Sequence, residues 1–159
     1  GMEKISYFEE DMTDFSLHKP ADVVLCICDS MNYLLSTEEI FAMFRCIKEA
    51  LAEDGVAILD MKTAYCFQKV MGNQTRVDET EEALMIWDNT YDEETCINEY
   101  LLTIFTEDKA TGMYARYDEC HEQRAYTEDE IKSCLKETSL RLVKSWTEDE
   151  VRTYFVIQR

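Results

Sequence analysis

Glycine and proline are both scarce in this chain. Only four of the 159 residues are glycine, at positions 1, 55, 72 and 112, and the one proline is Pro20. No two glycines stand in a Gly-x-Gly arrangement, which excludes the glycine-rich turn that lets backbone N–H groups approach a phosphate or a cofactor closely. The chain also lacks a Gly/Ser linker, and we therefore predict one domain over residues 1–159.

Basic residues are outnumbered by acidic ones. Lysine and arginine total 16 against 34 aspartates and glutamates, which gives a formal net charge of -18 at pH 7. Nucleic acid is not an expected partner, because phosphate binding depends on clustered cations and the cations here stand singly among acids. The charge fits a cationic or neutral small substrate, although a solvated surface that keeps the protein soluble explains it more simply.

Long apolar runs and a cysteine framework are missing as well. No run of about eighteen apolar residues exists, and the N-terminus lacks a signal-peptide pattern, so we expect no membrane association. Of the seven cysteines only Cys26 and Cys28 lie close together, and we place both on one face of a buried strand as small core residues. We expect no metal site, and a reducing cytoplasm is the simplest compartment.

The apolar pattern predicts a parallel strand, helix, strand unit over residues 21–62. Residues 22–28 are nearly all apolar, which is typical of a central strand covered on both faces, and residues 56–61 form a second apolar strand. The carboxyl ends of parallel strands meet at one edge of a sheet, where ligands bind. We therefore expect residues 28–33 and 60–63 to form one ligand-facing edge, called the rim below.

Local signals bound the helix of this unit. Ser36 or Thr37 is expected to cap its start, and the apolar stripe continues to about Ala52. Gly55 is expected to end the helix as a left-handed turn residue. A short strand over residues 4–10 is predicted to precede the unit.

The later part of the chain changes character. Strands rich in aromatic and β-branched residues, separated by acidic turns, predict a three-stranded antiparallel meander inserted over residues 82–125. A capping signature then predicts a closing helix and hairpin over residues 127–159. The predicted elements are a short helix at 64–71, a polar loop at 72–80, strands at 84–91, 95–105 and 112–124, a helix at 127–138, and strands at 140–146 and 151–157.

Several stretches, in this order, carry a family resemblance: Asp11 after a first strand, Asp22-Val-Val-Leu-Cys, Asp29-Ser-Met-Asn-Tyr-Leu, Val56-Ala-Ile-Leu-Asp, and His121-Glu-Gln-Arg-Ala-Tyr-Thr-Glu-Asp-Glu-Ile. The combination resembles the later part of the class I S-adenosylmethionine-dependent methyltransferases and covers nearly the whole chain. The resemblance implies an α/β fold, namely a Rossmann-like methyltransferase sheet with an inserted antiparallel β-meander. It also implies S-adenosylmethionine as the cofactor.

The resemblance fails at its start. The family begins with a strand leading into a glycine-rich turn that cradles the methionine end of the cofactor, and the next strand ends in an acid that holds the ribose. Neither feature is found here, so the chain resembles an N-terminally truncated methyltransferase. We therefore expect weak or no cofactor binding by this chain. Ser139 also stands where the family usually has glycine, which bears on helix termination more than on chemistry.

The resemblance implies cofactor contacts at two places. The position of Asp11, with Met12 beside it, would border the adenine ring. The stretch from Cys28 to Tyr33 would pass the methionine part of the cofactor and the methyl acceptor. Cys28 and Asp29 are accordingly candidate cofactor-binding residues.

The candidate catalytic residues are Asp29 and His121. Asp29 at a strand end could orient an amine or accept its proton, or it could only cap the turn. His121 could act in catalysis or be an ordinary strand histidine. The candidate substrate-binding residues, of which Tyr33 could equally be a packing residue, are Asn32, Tyr33, Arg124 and Tyr126. Trp87 and Trp146 are expected in the core.

Two functions fit these observations. The first is methyl transfer from S-adenosylmethionine to a small molecule, in a full-length form that supplies the missing motif. The second is a non-catalytic dimerisation or adaptor module derived from the same fold. We expect a homodimer, either through the meander or through the edge of the strand at 22–28.

Overall fold

A computed structural model describes residues 5–159 and contains two four-stranded sheets. The first sheet has the strand order β1-β2-β8-β7 and the second the order β3-β4-β5-β6. The α/β class with an inserted antiparallel meander is thereby confirmed. The elements are β1 Ala21–Cys26, a 3-10 turn Ser30–Tyr33, α1 Thr37–Ala50, β2 Leu51–Lys62, a short π-type helix Cys66–Met71, β3 Gln74–Glu79, β4 Ala83–Asp92, β5 Ile97–Asp108, β6 Met113–Arg124, α2 Glu128–Thr138, β7 Arg141–Glu148 and β8 Arg152–Gln158.

The first sheet is built on the predicted parallel unit. β1 pairs in parallel with β2, and α1 is the crossover between them. β8 and then β7 extend the sheet antiparallel to β2. Helices α1 and α2 pack together over one face and bury a continuous apolar core whose members include Ile40, Phe44, Leu59, Ile131 and Phe155.

Each helix begins at a capping box. The Ser36 hydroxyl accepts from the Glu39 N–H at 3.2 Å, and the Glu39 carboxylate accepts in return from the Ser36 N–H at 2.9 Å. Thr127 and Glu130 repeat this exchange at the start of α2. Such reciprocal bonds satisfy N–H groups that have no partner within the helix, so both starts are fixed by local sequence.

The predicted left-handed turn at Gly55 is wrong. The residue that follows α1, Leu51, is extended, with φ -75° and ψ 140°, and it already belongs to β2. Gly55 lies within β2, where a Cβ would come within 3.0 Å of the Ala21 carbonyl and of the Ala52 backbone. The glycine therefore permits close approach of β1 and β2. A left-handed residue does end α2, where Ser139 has φ 59°.

The expectation that residues 22–28 form a doubly covered strand is also wrong. β1 is an edge strand, and within residues 5–159 nothing covers the outer face that carries the half-exposed Val23 and Leu25. Cys26 packs partly against the core, but Cys28 lies beyond the strand and is exposed rather than a core residue. Apolar composition alone does not distinguish a strand covered on two faces from one covered on a single face.

The strand predicted at residues 4–10 is absent from the described residues. Lys4 lies outside them, and residues 5–10 form no strand, so they do not pair with the edge of β1. The side chains of Ile5, Tyr7 and Phe8 are 70–87% exposed. Apolar residues at this end therefore lack the partner that a β-strand requires.

The second sheet contains one strand more than predicted. The segment expected to be a polar loop holds β3, which pairs antiparallel with β4 through six residues. All side chains of β3 are exposed, so the strand carries no apolar alternation and is held through its backbone ladder. Trp146 is likewise outside the core: it is 39% exposed and stacks on Tyr154 in the hairpin of β7 and β8. None of the helices described is long and apolar enough to cross a membrane.

We expect Ser36→Ala to lower the free energy of unfolding by about 1 kcal/mol, because it removes the hydroxyl that accepts the Glu39 N–H. Urea denaturation measures this change. Thr37→Ala is the matched control, since the Thr37 hydroxyl contacts only the exposed Glu38 side chain. Equal effects of the two substitutions would contradict the assigned cap.

Candidate functional site

The rim predicted from the strand ends is confirmed by direct contacts. The Asp60 carboxylate, at the end of β2, accepts the N–H of Cys28 at 3.0 Å and the N–H of Asp29 at 2.6 Å. Both residues are left-handed, with φ 61° and 54°. This conformation costs roughly 1–2 kcal/mol for each non-glycine residue. Two hydrogen bonds to a carboxylate offset that cost and hold the strained turn in place.

Asp29 and Asp60 belong to an ion cluster that joins the two carboxylates to two cations. Arg152, at the start of β8, donates from Nη1 to Asp60 at 2.6 Å and from Nη2 to Asp29 at 2.7 Å. The Lys62 ammonium lies 2.9 Å from the second oxygen of Asp29. Gln123 of β6 donates to that same oxygen at 3.0 Å. The cluster therefore ties β2, β6 and β8 to the turn after β1.

The ionisation of Asp29 is fixed by these partners. Burial alone would raise its pKa, since the side chain is only 15% exposed. Hydrogen bonds from Gln123, Lys62 and Arg152 and the Lys62 charge outweigh burial and hold the Asp29 pKa below its usual value. Asp29 is thus a constant, oriented negative charge and a weak proton acceptor.

Asn32 is a buried residue of the rim. It is fully buried, and its amide donates to the carbonyls of Lys62 at 3.1 Å and Arg124 at 2.8 Å. Its side-chain oxygen accepts the Lys62 N–H at 2.8 Å. Asn32 therefore cross-links the 3-10 turn, β2 and β6, and its polar atoms are turned away from the open side of the rim.

Arg124 and Tyr126 are occupied in a similar way. Arg124 pairs with Glu130 at 3.0 Å, and its guanidinium lies over the Tyr126 ring at 4.7 Å. Tyr126 is buried, and its hydroxyl donates to the Leu34 carbonyl at 2.5 Å. Burial raises the pKa of Tyr126 above its usual range. The two residues hold the segment between the rim and α1 against α2, and substrate contact by Tyr126 would require it to leave these partners.

An aromatic row borders the open side of the rim. Tyr100 stacks between Trp87 and His121, with ring centroids 4.7 Å apart on each side. Its hydroxyl is hydrogen bonded to the hydroxyl of Tyr33, and burial together with that bond raises the Tyr100 pKa. His121 lies edge-on to Tyr33 and has Nε2 3.0 Å from Glu119. Of the predicted residues, Tyr33 and His121 thus contact each other.

The predicted adenine-binding pair lies in a separate segment. Asp11 is exposed, and its carboxylate accepts from the N–H and the hydroxyl of Thr13 at 2.8 and 2.7 Å. Met12 packs against the main core, and the Cys46 thiol donates to the Thr13 carbonyl under α1. No hydrogen bond joins Asp11 or Met12 to the rim within the described residues.

Four residues that contact the predicted candidates cannot be identified from local sequence: Lys62, Gln123, Arg152 and Tyr100. Asp60, by contrast, is expected at the rim. Arg152 and Asp29 are 123 positions apart, and Gln123 and Asp29 are 94 apart. An acid at a strand end was the only local signal available, and the cations that pair with it come from other strands.

We expect Asp29→Asn to lower the free energy of unfolding by about 1–3 kcal/mol at about pH 7, because Lys62 and Arg152 would lose a largely buried counter-charge. A carboxyl with a depressed pKa stabilises the fold fully above its usual pKa, 3.8 here, and this stabilisation is lost as pH falls through the folded-state value. Urea denaturation should therefore show a smaller difference in the free energy of unfolding between the native chain and Asp29→Asn at about pH 3 than at about pH 7.

Asp118→Asn is the control for this experiment. Asp118 also pairs with an arginine, Arg116, but both side chains are more than half exposed. Solvent screens such a pair, so a much smaller loss is expected. A deficit of Asp29→Asn that stayed constant or widened in acid would contradict the assigned ionisation.

Comparisons with known proteins agree with this architecture, although no family model matches the chain. A Geobacillus sp. (strain WCH70) protein provisionally named a methyltransferase is 30% identical over 163 residues, covering 98% of this chain and 66% of its own length. The chain thus spans just under two thirds of that relative.

Solved structures show the same fold. An S-adenosylmethionine-dependent methyltransferase from Clostridium acetobutylicum superposes with a TM-score of 0.84 at 24% identity, covering 94% of this chain and 62% of that one. The sugar N-methyltransferase KedS8 from Streptoalloteichus superposes with a TM-score of 0.74 at 18% identity, covering 94% and 60%. With the sequence relative, these likenesses show that the chain has the fold of the S-adenosylmethionine-dependent methyltransferases.

Proposed function

We propose that the chain forms the acceptor side of a site that transfers a methyl group from S-adenosylmethionine to a small molecule. The observation that carries this proposal is the position of Asp29 after the carboxyl end of β1, where Asp60 accepts its backbone N–H and Lys62 and Arg152 hold its carboxylate. Methyl transfer by in-line displacement depends on alignment more than on strong acid or base chemistry. A rigid rim carrying a constant charge fits that requirement.

The candidate residues at and around the rim have different roles in this proposal. Asp29 attracts and orients a cationic or amine-bearing reactant, because its low pKa makes it a weak base. Tyr33 and His121 stand on the open side and contact the acceptor through hydroxyl and imidazole groups. The rim is positioned by the side chains of Asn32, Arg124 and Tyr126, which donate hydrogen bonds to backbone carbonyl groups. Cys28, which lies in the strained turn, remains a proposed contact of the cofactor.

A small-molecule acceptor is supported by the size and surroundings of the site. KedS8, which shares the fold, is a sugar N-methyltransferase. The rim adjoins a cavity of about 280 Å³, close to the lower limit for small-ligand sites. All seven cysteines are free thiols, which is consistent with the proposed cytoplasmic location.

Cofactor binding is proposed to be shared with residues that this chain lacks. No Gly-x-Gly turn is present to bring backbone N–H groups to the methionine end of the cofactor. Asp11 and Met12 remain the proposed contacts of the adenine ring. The relatives are longer, and a chimaera carrying the part of the Geobacillus protein that this chain does not match would supply the remaining contacts.

We expect S-adenosylhomocysteine to bind this chain with a Kd of about 1 mM or weaker, and to bind the chimaera at least about tenfold more tightly. Isothermal titration calorimetry measures both. The chimaera should also release S-adenosylhomocysteine from S-adenosylmethionine when amines are added, and Tyr33→Phe should slow that release without weakening cofactor binding.

Two results would overturn the proposal. Micromolar binding by the chain alone would show that the glycine-rich turn is not required. A chimaera that is folded by circular dichroism but neither binds the cofactor nor transfers a methyl group to any amine would remove the enzymatic role.

A dimerisation module is the second candidate, and the exposed side of β1 favours it. β1 is an edge strand with unpaired backbone groups, and Val23 and Leu25 are 55% and 60% exposed beside it. Open edges with apolar side chains invite pairing with another chain. This role is compatible with catalysis, because neither Val23 nor Leu25 belongs to the aromatic row.

We expect the chain to be a homodimer by multi-angle light scattering at micromolar concentration, and Leu25→Glu to shift it to monomer. A charge at this position would be buried without a partner in the paired edge. Val77→Glu is the control, since Val77 is equally exposed at 59% but lies on β3. Dissociation by Val77→Glu instead would move the interface to the meander, and a monomeric native chain would contradict the dimer.

A further inference from the structure

A cavity of about 280 Å³ lies between the short π-type helix and one face of the meander, and none of the candidate catalytic, cofactor-binding or substrate-binding residues predicted from sequence lines it. Lys62 both lines this cavity and contacts Asp29, so the cavity adjoins the rim. The residues that matter for its chemistry are Lys62, Cys66, Met71, Arg76, Met85 and Trp87.

One wall of the cavity is suited to a flat apolar group. Trp87 lines it and is held by its stacking on Tyr100, which is buried. Met71, Met85 and Cys66 add sulfur-containing side chains, which adapt to aromatic and irregular ligands. A planar ring placed against Trp87 would gain stacking in addition to burial.

Arg76 supplies a charge that the protein leaves available. Its Nη2 donates to the Val70 carbonyl at 2.5 Å, which uses one of five donors. Among residues 5–159 no carboxylate forms an ion pair with Arg76, although the chain carries 34 acidic residues. The other two arginines of the second sheet are paired: Arg116 with Asp118 on the opposite face of the sheet, and Arg124 with Glu130. A guanidinium with free donors matches the geometry of a carboxylate.

The acidic residues of the chain do not prevent Arg76 from pairing with the carboxylate of a ligand. Asp78 also lines the cavity, but it lies further along β3, opposite Met85, and forms no ion pair with Arg76. The carboxylates of the rim are paired with Lys62 and Arg152. Charges elsewhere on the surface are screened beyond roughly 8 Å at physiological salt.

We infer that this cavity binds the body of the methyl acceptor as a planar ring bearing a carboxylate. The ring stacks on Trp87, the carboxylate pairs with Arg76, and the nucleophile is directed towards Lys62 and Asp29. The identification of the ligand as the acceptor rests on the proposed function. The preference of the cavity for an anionic ring rests only on the residues that line it.

A matched pair of ligands tests the inference without cofactor or turnover. The probes are 4-aminobenzoate and its neutral analogue 4-aminobenzamide, titrated into the ¹⁵N-labelled chain and followed by NMR. We expect 4-aminobenzoate to bind about fivefold more tightly, and to shift the indole N–H of Trp87 but not that of Trp146. Trp146 is the internal control because it stacks on Tyr154 in the hairpin of β7 and β8 and does not line the cavity.

Two substitutions separate the charge from the ring. Arg76→Gln should remove the preference for 4-aminobenzoate, whereas Arg116→Gln should leave it unchanged. Trp87→Leu should weaken both ligands by about three- to tenfold, measured on the backbone amides of β3. Equal binding of the two probes, or equal effects of the two arginine substitutions, would overturn the inference. A failure of methyl transfer would contradict the proposed function but not the binding of the anionic ring, so the two proposals can be distinguished.

Discussion

The Asp60 carboxylate is the interaction on which the rest of the site depends. It stands at the end of β2 and accepts two consecutive N–H groups from Cys28 and Asp29, both in the left-handed region. Without that acceptor two non-glycine residues would have no reason to adopt this conformation together. Because the turn is held there, the Asp29 side chain points to Lys62, Arg152 and Gln123. One carboxylate thereby converts a strand end into a rigid edge.

The balance of charges at this edge differs from that of the chain as a whole. The chain carries a net charge of -18, yet the two carboxylates of the cluster are matched by two cations. Burial would make isolated charges costly, and mutual pairing offsets that cost. The aromatic row of Trp87, Tyr100, His121 and Tyr33 then connects the cavity beneath the meander with the rim. Trp87 supplies the stacking surface of the cavity, and Lys62 links the cavity to the Asp29 carboxylate.

The sequence predicted those features that are set by short-range signals. The helix start at Ser36 or Thr37, the capping signature at Thr127, the parallel unit and the rim follow from local pattern and from the topology of α/β sheets. Features that depend on distant partners were not accessible. Arg152 reaches Asp29 across 123 positions, and the buried role of Asn32 depends on Arg124, 92 positions away. β3 could not be predicted, because its sequence has no apolar alternation. The strand is held only by its backbone hydrogen bonds to β4.

Hydrogen exchange of the Cys28 and Asp29 amides tests the central claim most directly. Both amides lie in a short turn near the surface, where exchange would normally be fast, but each donates to a carboxylate that is itself held by Arg152. The account predicts protection comparable to that of the amides in the core of β2. Exchange of these two amides at the rate of an unprotected loop would contradict it.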